Sequence, residues 1–206
     1  MNLNEALHQI AIDLNMPPAD LIAYAAEDTI GGYHTNAALA KWPMGSLWEV
    51  EGQVLYAVTR AMRPERVLEV GVYFGASSTH ILAALAKNKK GKLISFDIQG
   101  SQGDGPPGEL RKRWEFIQAD SNDYLAKTPI TADLVFEDGY HDRIGTERNL
   151  RTIMEIVRPR ILISHDAEHF TEGINVRGAW SAVFGDQYKT ILIAPSDCGL
   201  AYGGHL

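Results

Sequence analysis

The chain has 206 residues, of which 45% are hydrophobic and 22% charged, with a formal net charge of −7. This is the balance of a soluble globular protein able to bury a sizeable core, and it excludes a disordered chain, a collagen and a coiled coil. No apolar run approaches the roughly 18 residues that span a bilayer. The first Lys or Arg is Lys41, so no basic n-region announces a secretory signal. The basic residues form only short groups, such as Arg111-Lys112-Arg113, which is not the footprint of a nucleic-acid binder. Cys198 is the only cysteine, which excludes an intramolecular disulfide and a cysteine-based zinc site and makes a reducing, cytoplasmic home the expectation.

In chain order, Leu3, Leu7, Ile10, Ala11 and Leu14 recur at helical spacing up to Pro17-Pro18. Leu21, Ile22, Ala25 and Ala26 predict a second short helix, closed by Gly31-Gly32. Ser46-Leu47-Trp48-Glu49 has the form of a capping box and opens a helix through Leu55, Val58 and Met62, stopped by Pro64. The rhythm then changes to short apolar runs: Val67–Val70, Leu93–Phe96, Phe116-Ile117, Leu134–Phe136 and Ile161–Ile163. Helices follow the first of these, through Ile81, Leu82 and Leu85, and the fourth, through Leu150, Ile153, Met154 and Val157. A further helix carries Val176, Trp180, Val183 and Phe184. Alternation of strand and helix predicts an α/β protein with a doubly wound, mainly parallel, Rossmann-like sheet. Thr190–Ala194 and Leu200–Tyr202 stand too close for a crossover, so the sheet should have seven strands, the last one antiparallel. Residues 1–45 read as an N-terminal helical cap and residues 46–206 as the catalytic unit.

Ligands of such sheets bind beyond the carboxyl ends of the strands. Acids recur at those ends: Glu69, Asp97, Asp120, Asp138 and Asp166. The first strand runs into Glu69-Val70-Gly71-Val72-Tyr73-Phe74-Gly75-Ala76-Ser77, where Gly71 and Gly75 allow a tight turn and close approach of a ligand. The spacing is Gly-x-x-x-Gly, not the Gly-x-Gly-x-x-Gly of dinucleotide binders, and no Walker lysine follows.

This stretch resembles the cofactor motif of class I S-adenosylmethionine-dependent methyltransferases. Glu51-Gly52-Gln53 together with the Glu69–Ser77 stretch is similar to the metal-dependent O-methyltransferases of the caffeoyl-CoA and catechol type. Asp138-Gly139-Tyr140-His141 and Ser164-His165-Asp166 resemble the macrocin and cephalosporin-tailoring branch. The resemblance implies that Gly71 and Gly75 admit the methionine part of S-adenosylmethionine and that Ser77 bonds its carboxylate. It implies that Asp97 takes both ribose hydroxyls, that Asp120 and Ser121 flank the adenine, and that Glu69 orients the first loop or meets the cofactor amine. The segment near Ser46 would lie over the cofactor.

The same resemblance implies a divalent metal on Asp138 and Asp166, with magnesium the first expectation for hard oxygen ligands. The third ligand is where the chain departs from the pattern. The asparagine of the caffeoyl type is replaced by Ala167, and the acid of the tailoring branch by His165. His165 is then a ligand, a group standing behind the ligands, or neither, and imidazole would favour Mn2+, Fe2+ or Zn2+. His141, three residues past Asp138, is the candidate general base. The expected reaction is transfer of a methyl group to a hydroxyl of a small molecule such as a natural product, sugar or catechol. A nicotinamide-dependent oxidoreductase and a non-catalytic methyltransferase-like binding protein are the alternatives. Residues 1–45, Gln99–Gly108 and Ala167–Gly173 should set acceptor choice, and oligomeric state stays open, a homodimer included.

Overall fold

The computed structural model describes residues 1–28, 47–100, 106, 108–169 and 171–204. Ser46 and Gly31-Gly32 therefore lie outside the described residues, as does most of Gln99–Gly108. Three helices come first: α1 (Leu3–Asp13), α2 (Pro18–Glu27) and α3 (Glu49–Met62). Then follow β1 (Arg66–Val70), α4 (Ala76–Asn88), β2 (Lys92–Asp97), a 3-10 turn (Gly108–Arg113), β3 (Trp114–Gln118) and α5 (Ser121–Lys127). The chain continues with β4 (Leu134–Glu137), α6 (Arg143–Thr152) prolonged by a π turn (Ile153–Val157), β5 (Ile161–Ser164), α7 (Val176–Phe184), β6 (Lys189–Ile191) and β7 (Leu200–Gly204).

The seven strands form one sheet in the order β3-β2-β1-β4-β5-β7-β6, with β7 antiparallel to both neighbours and the other pairings parallel. Successive strand residues point to opposite faces. Val67, Leu93, Leu134, Phe136 and Ile163 join one core with α1 to α4. Leu68, Val70, Phe96, Val135 and Leu162 join another with α5 to α7. Both faces are covered, so the strands read as continuous apolar runs rather than alternating ones. Trp180 of α7 is wholly buried in the second core and donates its Nε1–H to Ser164 Oγ at 2.9 Å.

Two local outcomes differ from the expected pattern. β6 stops at Ile191 rather than Ala194, because the N-terminus takes over the next backbone groups: the Ala194 amide donates to Met1 O at 3.0 Å and the Met1 ammonium to Leu192 O at 3.2 Å. The helix after Leu47 begins at Glu49, and the carboxylate that reaches back to an N-terminal amide, that of Trp48 at 3.2 Å, belongs to Glu51. Glu51 is fully buried, which gives it a second duty described below.

The chain reverses direction of winding between β1 and β4, which is where an open sheet leaves a crevice for ligands. The amide of Gly71 donates to Phe96 O at 2.8 Å and that of Asp138 to Val70 O at 2.7 Å, so the loops after β1, β2 and β4 are tied together at this point.

Candidate active site

The crevice is a cavity of about 350 Å³, enough for a nucleoside-sized ligand. Its walls are the β1–α4 loop from Gly71 to Ser77, the β2 tip from Phe96 to Gly100, Ala119–Ser121 after β3, and Asp138–His141 after β4. Leu47 also lines it, so the chain entering α3 reaches the cavity, whereas α1 and α2 contribute nothing to its lining. α1 instead packs at the antiparallel end of the sheet, where Tyr202 donates to Asp13 at 2.6 Å.

Close packing explains Gly71. Its φ is +88°, and a Cβ there would stand 2.1 Å from the carbonyl oxygen of Asp138. Gly75, at φ +84°, begins α4 with no side-chain cap. The first amides of α4, at Ala76 and Ser77 on the cavity wall, are therefore orphan donors at the positive end of a helix dipole.

The acids at the strand tips separate into different duties. Glu69 lies beneath the cavity rather than in its lining. It shares a face of β1 with Val67, is fully buried, and accepts from Ser77, Ser78 and Ser95 at 2.6, 2.6 and 2.5 Å. Loss of water pushes its carboxyl up to about 7 despite those three hydroxyls. Glu69 thus ties the start of α4 to β2 and takes no part in the cavity lining. The Ser77 hydroxyl is correspondingly committed to Glu69, so what Ser77 offers the cavity is its backbone amide.

Asp97 staples the β2 tip to the β1–α4 loop. Its Oδ2 accepts from Val72 and Tyr73 at 2.9 and 3.1 Å, and its Oδ1 from Gln99 at 2.8 Å. A carboxylate has about four acceptor positions. Three are taken, which leaves one acceptor position on Oδ1. Asp120 caps α5 through the Asp123 amide at 3.0 Å and accepts from Tyr140 at 2.8 Å. Burial opposes its charge, but these two donors and Arg148 hold its carboxyl below the ordinary range. Ser121 beside it is buried and faces Asn149.

Neither Asp138 nor Asp166 caps a helix; Asp142 and Asn175 cap α6 and α7. They converge instead on two imidazoles. His141 Nε2 lies 3.2 Å from Asp138 Oδ1 and 3.1 Å from Asp166 Oδ2, and His165 Nδ1 lies 3.5 Å from Oδ1 of each. Asp166 holds this position at φ +57°, a conformation costly for a residue with a side chain and typical of sites where geometry matters more than comfort. Burial works against the Asp138 charge, but His165 and His141 bring its carboxyl down to about 2. Hydrogen bonds from Asp138 and then Asp166 push His141 up to about 10, so it stands as an imidazolium at neutral pH. His165 is also pushed well above its ordinary range, since the pull of Asp138 outweighs burial.

Glu51 completes the arrangement. Its Oε2 lies 2.9 Å from His165 Nε2, and its Oε1 accepts from Ser196 at 2.6 Å. Its neighbour Gly52 is required for a separate reason, since a Cβ there would fall 2.3 Å from the buried His80 ring. Sequence reading singled out Glu51-Gly52-Gln53 but assigned Glu51 no role. The available signal was an acid among the buried positions of an otherwise apolar helix face, beside Val54, Leu55 and Val58. Tyr140, which ties Asp120 to the β4 loop, was missed as well, and nothing in its spacing marks it.

Fold and site together define a class I methyltransferase architecture: the winding reverses at β1 and β4, the seventh strand is antiparallel, and Asp97, Asp120 and Asp138 at the strand tips line one crevice. Residues 68–167 match a family described as a methyltransferase domain. No protein with a curated function matches the sequence. Among solved structures, the cofactor-bound Rv0187 from MTB is similar at TM-score 0.62 and 15% identity, covering 89% of this chain and 87% of that one. The O-methyltransferase TomG of Streptomyces achromogenes, solved with SAM and involved in tomaymycin synthesis, gives 0.60 and 16%, covering 89% and 88%. The O-methyltransferase from Bacillus cereus in complex with SAH gives 0.56 and 14%, covering 96% of each chain.

Proposed function

We propose that this chain transfers a methyl group from S-adenosylmethionine to a hydroxyl of a small molecule, assisted by a divalent metal at Asp138, Asp166 and His165. One observation carries the reading: the cavity that runs from Asp97 and the uncapped start of α4 reaches Asp138 and His141, and His141 in turn touches Asp166 behind the lining. The solved relatives with SAM or SAH bound lend support through the shared fold.

The donor set fits the cofactor. The orphan amides of α4 suit a carboxylate, the free position on Asp97 Oδ1 suits a ribose hydroxyl, and Ala119–Ser121 offers the remaining wall for the adenine. The bound sulfonium supplies an already activated methyl group, so the protein's work is alignment.

The donor set also fits a divalent cation. Two carboxylates that approach each other need positive charge between them, and here His141 provides it by touching both. Because a carboxylate can only accept, Glu51 keeps the proton of His165 on Nε2, which leaves Nδ1 as the ligand atom facing Asp138 and Asp166. Imidazole in the set suits manganese, iron or zinc better than magnesium. A bound cation would supply Lewis-acid polarisation of the acceptor oxygen. With a cation held by those residues, His141 would be relieved of neutralising the carboxylates and could take the hydroxyl proton as methyl transfer proceeds. We further propose a cytoplasmic setting; among the described residues no helix is long and apolar enough to cross a membrane.

The test is turnover of labelled S-adenosylmethionine with catechol, flavonoid and sugar acceptors, paired with calorimetry of the demethylated cofactor. Binding in the micromolar range and chelator-sensitive turnover are expected. Absence of cofactor binding overturns the transferase reading, and full turnover after exhaustive chelation overturns the metal.

A further inference from the structure

A second cluster of donors lies beside the carboxylate pair and takes no part in the reaction described. The segment after β5 and the segment before β7 continue the antiparallel pairing past the strand ends: the Ala167 amide donates to Gly199 O at 3.2 Å and the Glu168 amide to Cys198 O at 2.7 Å. Ser196 Oγ accepts from the Cys198 amide at 3.0 Å while donating to Glu51, so the cysteine backbone is held from both sides. Gly199 permits the approach; a Cβ there would meet the Glu168 side chain at 2.8 Å. This register brings three different donors together on a fixed backbone. His169 Nδ1 is 3.5 Å from Cys198 Sγ, and Cys198 Sγ is 3.4 Å from Asp197 Oδ1. All three ligand atoms lie within 4.8 Å of one another.

We propose that His169, Asp197 and Cys198 form a second cation site, which takes a thiophilic divalent ion of the zinc type. Bonds of about 2.0–2.3 Å to a tetrahedral zinc set neighbouring ligand atoms roughly 3.4–3.6 Å apart. The imidazole–thiol and thiol–carboxylate separations already have that length, and the imidazole–carboxylate pair lies within 4.8 Å, so a small adjustment of side chains would close the set around an ion. One cysteine cannot build a zinc site alone, but one thiolate, one imidazole and one carboxylate leave the fourth position to water, which is an open site rather than a closed structural one. The donors select against magnesium and calcium, which take oxygen ligands. His169 Nδ1 is also 3.7 Å from Asp166 Oδ1, so occupancy here would be felt at the carboxylate pair.

The two sites are proposed on different ligands, but Cys198 also lies within reach of His165 and Asp166, so the experiment is arranged to tell them apart through His169. The metal-stripped full chain is titrated with Co2+ and followed by absorption, then competed with Zn2+. A thiolate-to-cobalt charge-transfer band, displaced by zinc, is expected. Removing even a partner behind a ligand costs about 10–100-fold in metal affinity, so Cys198→Ser should erase the band and His169→Ala should weaken zinc binding at least about tenfold. Asp138→Asn should leave the band in place. In the parent chain, zinc should also protect Cys198 from alkylation by iodoacetamide, a readout that needs no variant to fold. A parent without the sulfur band, a Cys198→Ser chain that binds zinc as tightly as the parent, or equal alkylation rates with and without zinc would each overturn the site.

Discussion

The Glu51 carboxylate on α3 lies 2.9 Å from Nε2 of His165 beyond the tip of β5, joining residues 114 positions apart. The contact sets which histidine nitrogen faces the carboxylate pair. Glu51→Gln keeps the size of the side chain but can present an N–H to Nε2 and favour the wrong tautomer. Divalent-metal affinity should fall about 10–100-fold, with cofactor affinity unchanged. Equal metal titrations for parent and variant would contradict this role for Glu51.

Asp97 holds three backbone amides and, in the function proposed above, offers its remaining acceptor position to a ribose hydroxyl. Asp97→Ala removes both functions. Loss of the hydroxyl contact alone should cost about 1–3 kcal/mol of binding, and the loosened β1–α4 loop adds to it. Calorimetry with S-adenosylhomocysteine checks this, and unchanged affinity would remove Asp97 from the cofactor site.

Gly71 and Gly173 share a positive φ that only glycine adopts freely, at +88° and +91°, but only Gly71 is crowded; a Cβ on Gly173 would meet nothing within 4 Å. Gly173→Ala should cost about 1–2 kcal/mol for the left-handed conformation alone. Gly71→Ala should cost distinctly more, because the Asp138 backbone must also move. Urea unfolding of the two variants side by side decides it, and equal midpoints would show that the β1 and β4 loops are not locked together.

The buried Glu69 carboxyl titrates at about 7, against 4.5 when unfolded, because burial penalises its charge. The folded state therefore holds the proton longer than the unfolded one. The stability this contributes is complete below pH 4.5 and is lost as pH rises through about 7. Glu137 is pushed to about 7 by the same cause, so Glu69→Gln should remove about half of the decline in melting temperature across that window. Parallel melting-temperature profiles for parent and variant would refute it.

The sheet was legible in the sequence because its signals are local. Val67–Val70, Leu93–Phe96 and Leu134–Phe136 are apolar runs bounded by turn residues, and the strand-tip acids follow from where those runs stop. The terminal antiparallel strand could be read from the short span between Thr190 and Leu200. α5 and the 3-10 turn at Gly108–Arg113 escaped, since seven and six residues hold too little of a period to recognise. Which acid faces a ligand was not local information. Glu69, Asp97, Asp120, Asp138 and Asp166 look alike along the chain. Strand alternation, a close approach at Gly71 and contacts from distant elements turn one into a buried anchor, one into a staple and one into a helix cap, and leave two to share His141. The Glu51–His165 pair and the His169–Cys198 contact exist only once α3 and the β7 approach have packed against the tip of β5. Periodicity along a chain determines which face of an element is buried; which side chains meet across that face depends on how loops close over long separations, and only the folded molecule decides that.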